Sequence, residues 1–224
     1  MMNDILNQYM PNLIYMFPEF LESIGQTLLM VLVCAADAVF APLGLVPLTR
    51  EGDILENKIV YTVLGKIIDL FRAIPFIILV MILSDVTKFV SGTSIGLRGS
   101  FFPLIVGTIP FFARQIEQAI AEVDRGLIEA SEAMGLTPLQ IMFRVYLRES
   151  IPSIIRATTI TLISLIGLTA IVGSIGGGGV GAFCYNYGYS KMQYDIMWAC
   201  VIALVLITVI IQSIGNFLAR RTTH

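Results

Sequence analysis

Long unbroken apolar runs, rather than alternating ones, dominate the chain. A spanning helix needs about 20 mostly apolar residues. Three stretches meet that plainly, 21–46, 151–172 and 196–218. Two more are weaker. The stretch 59–83 carries Lys66, Asp69 and Arg72 in its first half and runs clean from Ala73, while 101–120 is apolar only as far as Ala113. The pattern predicts an all-α integral membrane protein with five transmembrane helices. Prolines at 42, 47, 75 and 110 interrupt these runs, and each removes a backbone donor and tends to kink a helix.

Composition agrees. Hydrophobic residues make up 56% of the 224 residues and charged ones 13%, against roughly 25% charged in an ordinary soluble domain. Mean hydropathy is +0.84. A net charge of −2 gives no basic face for nucleic acid, and three cysteines, Cys34, Cys184 and Cys200, do not make a disulfide-stapled module. They read as small hydrophobes with no disulfide or metal role. Residues 1–20 contain no Lys or Arg and no small-residue cleavage site, so they are expected to form an extracytoplasmic N-terminal segment rather than a signal peptide.

Charge placement orients the spans. With the N-terminus outside, the inner flanks hold Arg50, Lys58, Arg114, Arg125, Arg144, Arg148, Arg156, Arg220 and Arg221, while the outer loops hold Lys88, Arg98 and Lys191. Cytoplasmic flanks collect Lys and Arg. The expected topology is therefore N-terminus out, with a cytoplasmic tail at 219–224. Lys66, Asp69 and Arg72 share one helix face and can pair. Either that half-helix protrudes or packs on protein, or it borders a charged pathway. Asp37 is expected to face a helix partner or the inner interface rather than lipid.

The extended polar stretch 114–150 lies on the inner side. Residues 127–134 are good helix formers, Gly135 is placed to end that helix in a left-handed conformation, and Thr137 can cap a second helix starting at Pro138. A helical corner tied to two spans is a mechanical handle, or else a plain connector.

Glu129-Ala130-Ser131, three residues, Gly135, nine residues, then Val145-Tyr146-Leu147 resembles the EAA loop of bacterial ABC importer permeases. That loop runs Glu-Ala-Ala, three residues, Gly, nine residues, Ile, any residue, Leu, Pro. Ser131 replaces the second Ala, Val145 the Ile, and Arg148 stands where the Pro usually does. Further stretches resemble the methionine branch of that family: Phe71-Arg72-Ala73-Ile74-Pro75-Phe76-Ile77, Gly92-Thr93-Ser94-Ile95-Gly96, Ala157-Thr158-Thr159-Ile160-Thr161-Leu162, the glycine run 173–181 and Tyr187-Gly188-Tyr189. Together they reach across about 20–217.

The resemblance implies a type I ABC importer permease fold in a bacterial inner membrane, with the transmembrane domain over 21–218. It implies a pore made with a second copy, two cytoplasmic ATP-binding subunits below, and an extracytoplasmic substrate-binding lipoprotein above. Glu129, Ala130, Ser131 and Gly135 would couple to the ATPase, with Ala130 small enough for close approach and Glu129 a polar contact or helix-start stabiliser. ATP and Mg would sit on the partner. The chain has no G-x-x-x-x-G-K-[ST] and a single His, His224, so it is not expected to be an enzyme and carries no cofactor of its own.

Ser164, Thr169, Ile171 and Ser174 are candidates for the translocation path, Ile171 as an apolar gate, with plain helix packing the alternative. Tyr185, Tyr187 and Tyr189 form either an interfacial aromatic belt or a docking surface for the binding protein. Another amino acid or small solute is the alternative substrate. A secondary transporter is the alternative class, although five spans leave little room for paired inverted repeats.

Overall fold

The computed structural model describes residues 10–45 and 58–222. Val46, Pro47, Arg50, His224 and residues 1–9 of the N-terminal segment lie outside the described residues. Every regular element among the described residues is helical. In chain order they are α1 (Pro11–Tyr15), α2 (Phe17–Leu45), α3 (Lys58–Ala73), α4 (Phe76–Ile82), α5 (Ser84–Ser91), α6 (Gly96–Ala121), α7 (Arg125–Ala133), α8 (Pro138–Ile141), α9 (Leu147–Glu149), α10 (Ile151–Ser174), α11 (Gly179–Phe183) and α12 (Tyr194–Thr222). Single π-helical turns join α8 to α9 and follow α11. Among the described residues, four helices are long and apolar enough to cross a membrane, those beginning at Phe17, Gly96, Ile151 and Tyr194.

The stretch expected as one span over 59–83 is divided. Pro75 takes an extended conformation (φ −56°, ψ 130°) as the N-cap of α4, and because a proline disfavours helical geometry in the residue before it, α3 ends at Ala73 ahead of Ile74. The 16 residues of α3 are too short to span alone. Pro110, by contrast, sits inside α6 without ending it. That helix also takes in residues 114–121, which the sequence assigned to the polar loop. Ile116, Ala119 and Ile120 recur at helical spacing and are buried, so the apolar face outlasts the polar residues between them.

The described chain forms two compact units. One draws on 10–35, 75–106 and 162–210. Phe20, Val180, Phe183, Ile196, Ala199 and Cys200 form a buried cluster there. Asp195, in the first turn of α12, accepts from the backbone N–H of Asn12 at 3.0 Å and from its side-chain amide at 3.2 Å. A five-residue helix such as α1 would not hold alone, and the carboxylate at its start anchors it.

The second unit draws on 36–45, 58–74, 107–161 and 211–222. Its core joins Phe112, Ile116, Ile120 and Val123 to Ile141, Tyr146 and Ala157. Asp69 of α3 is bound by Arg114 of α6 at 2.7 Å and by Arg72 at 3.6 Å, and Arg114 also holds Glu117 at 2.7 Å. The half-helix face that carries Asp69 and Arg72 thus packs on protein through an ion cluster. Asp37 is exposed on the single chain.

Candidate functional site

The corner between α7 and α8 is built from local chemistry. Asp124 caps α7, its carboxylate accepting from the Gly126 N–H at 2.8 Å. At the other end Gly135 has φ +77°. The N–H of Leu136 reaches the carbonyl of Ser131 at 3.2 Å, and the N–H of Gly135 reaches Glu132 at 2.9 Å. This paired closure satisfies two carbonyls that a helix end leaves open. The chain then restarts at Pro138, where the Gln140 side chain accepts from the Thr137 N–H at 2.9 Å, one half of a capping box. Leu136 and Ile128 both pack against the core of this unit.

Of the four expected coupling residues, Glu129, Ala130 and Gly135 are exposed, whereas Ser131 is buried and donates to the Leu127 carbonyl at 2.6 Å. Ser131 therefore seats the helix rather than presenting itself to a partner. Glu129 is not a helix-start stabiliser either, since it lies in the fifth position of α7 and Asp124 does that work. The open face joins Leu127, Ala130 and Met134, three and four residues apart, and Leu127 and Met134 are 46% and 72% exposed. Asp124→Ala is expected to cost about 1 kcal/mol and to fray the first turn of α7. Hydrogen exchange at Arg125 to Leu127 would report it, and unchanged protection there would contradict the cap.

The path candidates on α10 do not share a face. Ser164, Ile171 and Ser174 are half-buried and align at helical spacing with Ile160 and Gly167, which are exposed. Thr169 faces the other way. It is 1% exposed and donates to the Ile166 carbonyl at 2.7 Å, so it packs inside the chain. The Ser174 hydroxyl likewise turns to its own helix, donating to Ile171 at 2.8 Å. Beyond it the glycine run turns back, and α11 lies against α10. The N–H groups that start α11 are occupied: Gly179 donates to Gln26 Oε1 at 2.8 Å and Val180 to Thr27 Oγ1 at 2.9 Å.

The three tyrosines divide two to one. Tyr185 and Tyr189 stack with ring centres 5.8 Å apart and are exposed. Tyr187 turns inward, its ring centre 5.1 Å from that of Phe183, with Lys191 Nζ over the ring at 4.6 Å. Cys184–Tyr189 is a helical turn, in which residues four apart share a face and the one between them points the other way. Tyr187 is half-buried, so Tyr187→Ala is expected to destabilise by about 2 kcal/mol, less than the loss of a fully buried aromatic. The double replacement of Tyr185 and Tyr189 by Ala is expected to leave thermal stability nearly unchanged. Equal losses in thermal unfolding would reverse the assignment.

Reading the sequence missed Asp124, Gln140, Gln26 and Thr27. The first two had signals, an Asp ahead of the helical run and the spacing Thr-x-x-Gln. Gln26 and Thr27 meet the glycine turn from 153 residues away, and no local pattern announces such a pairing.

Residues 41–224 match the family model described as binding-protein-dependent transport system inner membrane component. The probable D-methionine transport system permease protein MetI of Vibrio cholerae is 41% identical over 207 residues, covering 91% of this chain and 92% of that one. The methionine import system permease protein MetP of Bacillus subtilis is 40% identical over 173 residues, covering 77% and 78%. Among solved structures, a chain of the inward-facing MetNI methionine ABC transporter superposes with a TM-score of 0.89 at 39% identity, covering 93% of this chain and 98% of that one. The fold is thus that of type I ABC importer permeases, and four long apolar helices suit a membrane location. The chain belongs to the binding-protein-dependent transport system inner membrane components, the permease subunits of ABC importers.

Proposed function

We propose that this chain is the pore-forming subunit of an ATP-driven importer of methionine. Two copies form the pore, two ATP-binding subunits dock at the cytoplasmic face, and an extracytoplasmic lipoprotein delivers the amino acid. ATP and Mg are held by the partner chains, and this chain carries no cofactor of its own. The methionine assignment rests on relatives about 40% identical over most of the chain.

The observation that carries the coupling role is the α7 corner. A capped helix, closed at Gly135, leaves Leu127, Ala130 and Met134 uncovered beside Glu129. Unpartnered apolar side chains on a short helix at an aqueous face suit a groove on another protein. The five crossings follow if the interrupted stretch 59–83 counts as one span, with the N-terminus outside and the C-terminus inside. The domain limits are then 1–20, 21–218 and 219–224, with the corner within 114–150. Ser164, Ile171 and Ser174 face the path, and Ile171 narrows it. Tyr185 and Tyr189 are placed to meet the binding protein or the lipid headgroups.

Reconstitution in proteoliposomes tests the reading. Uptake of labelled methionine is expected only with the ATPase subunits, the binding protein and ATP all present. Uptake driven by a proton or sodium gradient without ATP would overturn it. Ile171→Ala is expected to raise passive leak, and an unchanged leak would remove the gate.

A further inference from the structure

A cavity of about 170 Å³ lies within the first unit, among α4, α5, the start of α6 and the end of α10. One water needs only about 10–15 Å³, so the space is sized for a small organic molecule. Its lining is divided in character. Ser84, Thr87 and Ser94 bring hydroxyls, while Met81, Val172 and Ile175 bring an apolar bed, and none of the lining residues is charged.

Two observations point to an anion at the hydroxyl side. Thr87 is 2% exposed, and its hydroxyl has no hydrogen-bond partner. A buried hydroxyl left unpaired is destabilising, so its presence calls for a group that completes the bond. Ser94 and Gly99 also bring the cavity wall to the first turn of α6, a helix of 26 residues. The Gly96 N–H is taken by the Gly176 carbonyl at 2.8 Å. The N–H groups that follow it have no acceptor inside the helix, and the positive end of its dipole falls there.

We propose that this cavity binds a small carboxylate with an apolar tail, that of the amino acid in transit. The carboxylate meets the Thr87, Ser84 and Ser94 hydroxyls and the start of α6, and the side chain lies on Met81, Val172 and Ile175. No acidic residue lines the cavity, so the ammonium group stays at its mouth in water. The identity of the amino acid rests on the import reading above; the carboxylate site does not.

The test uses the purified permease–ATPase complex and a photoreactive diazirine analogue of methionine, with adducts mapped by mass spectrometry. Adducts are expected on Met81, Val172 or Ile175. Excess methionine, and its des-amino carboxylate, should suppress them, whereas methionine amide and acetate should not. Thr87→Val is expected to cut adduct yield about tenfold, the weight of one hydrogen bond to a charged group, and Thr87→Ser to restore it. Competition by the amide equal to that by methionine would overturn the carboxylate contact, and competition by acetate equal to it would overturn the apolar bed. Those arms use the unmodified chain and stand even if Thr87→Val does not fold. Uptake is read separately in the same preparation. ATP-driven methionine uptake without adducts here overturns the cavity and leaves import standing, whereas adducts without uptake support the cavity and overturn import.

Discussion

Replacing Gly135 with valine is expected to lower ATP-driven uptake by more than tenfold while leaving the protein in the membrane. The residue holds φ +77°, a conformation that is costly for a β-branched side chain, on the order of 1–3 kcal/mol. A Cβ built there meets nothing within 4 Å, so the harm comes from backbone strain and not from a clash. That distinction makes the test sharp. Asparagine tolerates the left-handed region, so Gly135→Asn should keep most of the activity, although both replacements add bulk. If valine unwinds the corner, the bonds from Leu136 and Gly135 to Ser131 and Glu132 are lost together, and α7 no longer presents a fixed face. Equal uptake and equal ATPase stimulation for wild type and Gly135→Val would sink the coupling role of this turn.

The second large effect is expected at Gly181. A Cβ there would fall on the backbone of Ala170, 2.6 Å from its Cα, and the matching Cβ at Gly173 would fall 2.5 Å from the Ala182 nitrogen. The two glycines let α11 lie directly on α10, with main chain against main chain. Overpacking that only side chains absorb costs about 1–3 kcal/mol. Here two helices must separate, so the upper end applies. Gly181→Ala should lower the melting temperature of the complex by roughly 6–12 °C, at about 2–4 °C per kcal/mol for a chain of this size. Gly25→Ala is the control. Nothing lies within 4 Å of that position, and a helical glycine replaced by alanine gains about 0.5–1 kcal/mol. A shared melting temperature for the Gly181 and Gly25 variants would contradict the close approach of α10 and α11.

What could be read from the residue order was what depends on near neighbours. The apolar runs located α2, α6, α10 and α12 to within a few residues. The corner was legible because Gly135, Thr137 and Pro138 each act on their own backbone. The helix-start role offered for Glu129 fails because α7 begins at Arg125, two residues before the good helix formers at 127–134, and Asp124 caps it. Thr169 was grouped with Ser164 and Ile171 because all three sit on one apolar helix, and apolarity on every side hides which face turns inward. Tyr187 was grouped with Tyr185 and Tyr189 because all three read as one outer loop, whereas in a helical turn residues two apart point to opposite sides. The cavity beside Thr87 draws on four helices, and no single stretch contains it.

The cluster around Asp69 also bears on how the chain is made. Arg114 follows Asp69 by 45 residues, so during synthesis the carboxylate reaches the bilayer margin well before its stronger partner exists. Arg72, one turn away, is the only member of the cluster on hand at that stage, at the longer 3.6 Å distance. The short contact of the Asp69 cluster thus forms only after residue 114 has been made, so the order of synthesis sets the order in which this corner can close.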